Sequence, residues 1–115
     1  MDEQRIRQLE QLLGGARDGA LLRYSLGAAL LAAGDAVAAV RRLREAIERD
    51  ETHSASWKLL GRALAETGQS EAALNAFRRG VDAAAARGDV QAVKEMRVFA
   101  RRLEKTLAAA ASAAQ

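Results

Sequence analysis

Residues 57–77 read WKLLGRALAETGQSEAALNAF. Trp57, Leu60 and Leu64 lie three and four apart, as do Ala73 and Phe77, which is the period of two amphipathic helices. Gly68 separates them, and Ser70 is placed to start the second. Gly61 is the unexpected residue. Inside a helix, glycine costs about 1 kcal/mol relative to alanine, so packing must require it.

A shift of 34 residues towards the N-terminus lays this stretch on a second copy. Leu60-Gly61 falls on Leu26-Gly27, Ala63 and Leu64 on Ala29 and Leu30, and Gly68 on Gly34. Ala72 and Ala73 fall on Ala38 and Ala39, Phe77 on Leu43, and Val81 on Ile47. The matches are small or apolar and helically spaced, while the polar positions between them vary freely. A repeat that fixes only its packing face has this form.

Outward from these copies, glycines punctuate the chain at Gly14-Gly15, Gly19, Gly34, Gly68 and Gly88, with Asp18, Asp35, Ser70 and Asp89 as N-cap candidates beside them. The periodicity predicts six helices, at 3–13, 19–33, 36–49, 54–67, 70–87 and 90–109, and no strand. The first buries Ile6, Leu9 and Leu13. The last buries Val93, Met96, Ala100, Leu103 and Leu107, with Val90 and Phe99 beside that stripe. The alanine-rich end, 110–115, has nothing to anchor it and is expected to be a flexible tail.

The pattern W-x2-L-G-x2-Y…A-x3-F resembles the tetratricopeptide repeat (TPR), whose period is 34. One copy carries Trp57, Leu60, Gly61, Leu64, Ala73 and Phe77; the other carries Arg23, Leu26, Gly27, Leu30, Ala39 and Leu43. Glu51 and Ala85 stand where proline commonly closes the repeat. The resemblance covers about residues 20–87 and implies an all-α, right-handed TPR α-solenoid. Repeat 1 spans 20–53 and repeat 2 spans 54–87, with a leading helix at 3–13 and a capping helix at 89–109, so that 1–109 is one domain. Gly27 and Gly61, one on the first helix of each pair, would allow close approach, with Ala39 and Ala73 as small counterparts. Without the closing proline the fifth helix runs on, and Gln91 and Glu95 stand 34 residues past Trp57 and Gly61. The last helix is therefore read as a solvating cap and not as a third repeat.

Composition narrows the function. The 115 residues contain no cysteine, which excludes thiolate metal sites and a disulfide framework. No apolar run approaches the ~18 residues of a membrane span, and MDEQRIRQLE has no signal-peptide apolar segment; a cytoplasmic protein without membrane association is expected. Gly14 and Gly19 have phosphate-loop spacing, but Ala20 and Leu21 replace the residues that grip phosphate and magnesium. His53, the one histidine, has no ligand-spaced partners and reads as an exposed loop residue. No nucleophile, acid or base constellation is present, so no catalysis, cofactor or metal is expected.

The net charge is +3. Residues 1–50 balance, and the excess lies beyond them. The resemblance implies a protein–protein adaptor that binds in the concave face, lined by the first helix of each pair. Its groove positions are Leu21, Tyr24, Ala28 and Leu31, then Ala55, Lys58, Arg62 and Ala65. One half is apolar and the other basic, which suits an acidic peptide or helix segment, with Lys58 and Arg62 meeting the charge and Tyr24 the apolar contact. TPR domains that hold chaperone C-terminal carboxylates use a Lys and two Asn where this chain has Tyr24, Ala28 and Leu59, so that clamp is not expected. Two alternatives remain: nucleic-acid or acidic-partner binding through Arg97, Arg101, Arg102 and Lys105 on the last helix, and homodimerisation through the apolar groove half. The leading helix could equally cover that half.

Overall fold

The structure is a computed structural model that describes residues 2–114. Six helices follow one another: α1 (Asp2–Glu10), α2 (Ala20–Ala32), α3 (Ala36–Arg49), α4 (Ser54–Glu66), α5 (Ser70–Ala86) and α6 (Val90–Ala113). Each packs chiefly on its chain neighbour, as expected of stacked helix hairpins.

Asp35 and Asp89 cap α3 and α6 by accepting the N–H groups of Ala38 and Ala92. Asp18 is not a cap. Gly19 takes that place, and the Asp18 carboxylate reaches back to the Gly14 N–H at 2.8 Å. Ser70 is the first residue of α5, with Gln69 before it at the cap position, its side chain donating to Thr67 Oγ1 at 2.9 Å and not capping the helix. α1 stops at Glu10, earlier than its apolar period suggests. The chain then tightens into three-residue turns, Leu12 N–H to Leu9 and Leu13 N–H to Glu10, ahead of Gly14 at φ 80°. At the other end α6 continues to Ala113, four residues past the expected stop, because alanine is the best helix former even where nothing packs on it.

The two repeat-pattern glycines, Gly27 and Gly61, have a different partner from the one that pattern suggests. A β-carbon on Gly61 would lie 2.7 Å from Phe77 Cζ, and one on Gly27 would lie 2.6 Å from Leu43 Cγ. The close approach is therefore side chain onto backbone. Position 77 (or 43) drops onto the bare helix, and Ala73 and Ala39 fill the buried space beside it.

The repeats also solve one position in two ways. Trp57 is buried, donates from Nε1 to the Glu51 carbonyl at 2.8 Å, and carries the Arg79 guanidinium 4.9 Å from its ring centroid. Thirty-four residues earlier stand Arg23 and Glu45. Arg23 Nη1 donates to Glu45 at 2.8 Å, while Nε and Nη2 grip both oxygens of Asp18 at 2.8 and 2.6 Å. A ring with a cation over it is thus replaced by an ion network. Both carboxylates are held below their ordinary range. For Asp18 the main cause is the Arg23 hydrogen bond; for Glu45 burial pulls upward and the bonds from Arg23 and Arg42 outweigh it.

The register changes at the last helix. From Asp35 to Gln69, the caps of α3 and α5, is 34 residues, but from His53 to Asp89, the caps of α4 and α6, is 36. The cause is the length of α5, 17 residues against 14 in α3. Met96 and Ala100 are the buried residues of α6, and Val90 is 63% exposed, outside the stripe. Gly80, where repeat 1 has Ala46, leaves room for Met96 and the Trp57 β-carbon together. The core divides accordingly. One cluster joins α2, α3, α4 and the start of α5; a second joins Leu74, Phe77 and Ala84 of α5 to Met96 and Ala100 of α6, and Leu103 touches both.

Candidate functional site

The second core gives α6 a role the sequence did not assign. With Met96 and Ala100 turned onto α5, Glu95, Phe99 and Arg102 point to the side occupied by α4. The helices α2, α4 and α6 thus line one face, and α6 completes it.

On α2 this face is uncharged. Leu21 is 68% exposed, while Ala28 and Leu31 are half-buried. The helix has one charged residue, Arg23, and that side chain is engaged with Asp18 and Glu45. Tyr24 is less free than its position suggests: its ring meets the His53 ring edge-on, with centroids 4.9 Å apart and planes at 79°. His53 is correspondingly half-buried, and its Nδ1 shares a 2.6 Å hydrogen bond with the buried Ser56 Oγ. α1 packs through Ile6 and Leu9, with Leu13 of the turn that follows, and leaves Leu21 open. Arg5 of α1 borders a shallow cleft of about 320 Å³ with Tyr24, Ser25 and Ala28.

On α4, Ala55 is half-buried and Lys58 is already paired. Its Nζ donates to Glu95 Oε2 of α6 at 2.5 Å, and that bond holds the Glu95 carboxyl below its ordinary range. Arg62 and Ala65 are exposed. With Glu66 they form one wall of a cleft of about 260 Å³, whose other wall is Phe99, Arg102 and Leu103 and whose floor is Phe77. The Phe77 and Phe99 rings stack with centroids 5.1 Å apart and planes at 8°, and the Arg102 guanidinium lies 5.9 Å from the Phe99 centroid. Phe99 was readable as lying beside the buried stripe of α6, and Arg102 as a surface cation three residues on. What the period could not show was that α4 stands opposite.

Arg97, Arg101, Arg102 and Lys105, four of the five basic residues of α6, are not gathered at one cleft. Arg97 and Arg101 border another cleft, of about 430 Å³, with Arg78, Asp82 and Glu104, where Arg78 donates to Glu104 at 3.3 Å. Lys105 is exposed, and Arg102 belongs to the α4 side. Among the described residues no cluster of His, Cys, Asp and Glu could hold a metal ion, and no helix is long and apolar enough to cross a membrane.

The chain is similar to known proteins on the terms its helices suggest. A sequence model described as tetratricopeptide repeat matches residues 30–96. A TPR repeat-containing protein of Pseudomonas aeruginosa is 45% identical over 100 residues, covering 87% of this chain and 95% of that protein. The solution structure of a Bordetella parapertussis protein shares 40% identity with a TM-score of 0.75, covering 88% of each chain. The solution structure of a TPR domain protein from Salinibacter ruber has a TM-score of 0.69 at 20% identity, covering 75% of this chain and 87% of that one, a likeness of fold. Repeat pattern, stacked hairpins and relatives agree: the chain belongs to the tetratricopeptide repeat family.

Proposed function

We propose that this protein is a non-catalytic interaction module that holds a peptide or helix segment of a partner protein on the α2–α4–α6 face. TPR proteins generally mediate protein–protein interactions, and the family is generally non-catalytic. The observation that carries the reading is the α2 half of the face. It presents Leu21, Ala28 and Leu31 with no charged side chain turned outward, and it leads to a cleft with an aromatic floor between α4 and α6. Apolar surface of this kind beside a basic rim suits a segment that adds its own apolar side chains.

Photocrosslinking tests the proposal. A photoreactive residue at Ala28 or Ala65 samples the face, and one at Arg44, exposed on α3, samples the rest. A partner crosslinked from Ala28 and Ala65 but not from Arg44 supports the proposal. Crosslinks that arise only from Arg44 overturn it.

A further inference from the structure

Resting on that reading, we infer that the α4–α6 cleft takes a single large apolar side chain, aromatic or leucine-sized, from a segment that carries an Asp or Glu carboxylate within two positions of it.

The size and lining set the apolar part. At about 260 Å³ the cleft is smaller than the roughly 300–1,000 Å³ of sites that enclose whole small molecules. It is on the scale of one side chain. Phe99, Leu103 and Ala65 offer that side chain a ring and methyl groups, with Phe77 buried beneath them. The floor is already in place before any ligand arrives. Phe77 is 1% exposed and wedged between Gly61 and the Phe99 ring, so little order has to be created on binding.

The charges set the rest. Arg62 and Arg102 approach from opposite walls, and among the described residues neither has a carboxylate within ion-pair distance. Lys58 and Glu95 neutralise each other beside them. Glu66 is the one acidic residue lining the cleft. It lies one helical turn past Arg62, so a ligand carboxylate is favoured away from it, between the two guanidinium groups. Two planar cations around an apolar slot select an acidic neighbour for the buried side chain and disfavour a basic one.

Selection from a random peptide library displayed on phage, against the full-length chain, tests this. A fluorescein-labelled synthetic peptide of the consensus is then titrated against wild type and four variants whose helicity is checked. Arg102→Glu reverses charge at the cleft, and Arg101→Glu makes the same change on the other side of α6. Ala65→Trp fills the cleft, and Ala28→Trp blocks the α2 half. The expected result is a consensus pairing a large apolar residue with Asp or Glu, with affinity falling on the order of tenfold or more for Arg102→Glu and Ala65→Trp and little for Arg101→Glu. A consensus without acidic residues overturns the inference, as does equal loss from Arg101→Glu and Arg102→Glu; the groove reading survives either if Ala28→Trp still blocks binding. Peptides indifferent to both tryptophans, or no enriched peptide at all, overturn the groove reading and the inference with it. Self-association abolished by Ala65→Trp gives the cleft to a second copy and also overturns the inference.

Discussion

Gly61→Ala sets two opposing effects against each other. Alanine in place of a mid-helix glycine stabilises a helix by about 1 kcal/mol. In this fold the added methyl would meet Phe77 Cζ at 2.7 Å and both Cε atoms at 2.8 Å. The ring has no room to retreat: it is 1% exposed, and Phe99 stacks on it at 5.1 Å. Overpacking of a closed core costs roughly 1–3 kcal/mol and more where the neighbour is held. The clash should win, leaving Gly61→Ala less stable by up to about 2 kcal/mol after the propensity gain is subtracted. Urea unfolding followed by far-ultraviolet circular dichroism and by the fluorescence of Trp57 would measure it. A double-mutant cycle identifies the cause. In a Phe77→Ala background the same methyl has space, so Gly61→Ala should become neutral or stabilising, by up to about 1 kcal/mol. If Gly61→Ala stabilises the wild-type chain, Phe77 is not held against that glycine and the packing argument fails.

Further consequences can be checked in the same way. Asp18 and Glu45 have folded-state pKa values below their ordinary 3.8 and 4.5. In the acidic range the unfolded chain therefore binds more protons; the stability these groups supply is full above about pH 5 and is lost as pH falls through the folded values. A combined Asp18→Asn and Glu45→Gln variant should show a shallower decline of the urea midpoint in that range, and an unchanged slope refutes the assignment. Arg23→Trp alone leaves Asp18 with only the Gly14 N–H and Glu45 with only Arg42, and should destabilise by about 1–3 kcal/mol. Adding Glu45→Arg rebuilds the Trp57–Arg79 arrangement of repeat 2 and should recover part of the loss; additive losses would show that the two pairs are not equivalent. Met96→Ala empties the space opened by Gly80 and should cost about 2–5 kcal/mol, with α6 amides losing hydrogen-exchange protection before those of α2 and α3. Equal loss across all helices would contradict the division of the core.

Periodicity carried most of the fold. Gly27 and Gly61, the buried positions around them, and the two-residue slip of α6 all follow from spacing within one hairpin, because a helical period reports which face a helix buries. Failures came where two elements distant in sequence meet. Lys58 reads as a free groove cation until the crossing of α4 and α6 brings Glu95 to it. Tyr24 reads as an open aromatic until His53, at the far end of the same repeat, lies edge-on against it. Asp18 looks like a cap because caps are local. Its actual partner, Arg23, is drawn inward by Glu45 on α3, which no local pattern encodes. For the same reason Phe99 was legible as a residue beside the buried stripe and Arg102 as a surface cation, but the two were not legible as the wall of a cleft. The terminal change of register was readable from Gln91 and Glu95 standing out of phase, but its result, a third helix on the proposed binding face, required the packing of Met96.

The division of the core gives that face a thermodynamic character of its own. Arg62 and Ala65 ride on the first cluster, Phe99 and Arg102 on the second, and Leu103 is the side chain common to both. The cleft therefore exists only while α6 is seated. Any opening of α6 on α5 dissolves half of the site, so observed affinity is intrinsic affinity multiplied by the fraction of molecules with α6 in place. A bound segment bridging α4 and α6 would act as a clasp between two cooperative units, raising the exchange protection of α6 by the full binding free energy and that of α2 by little.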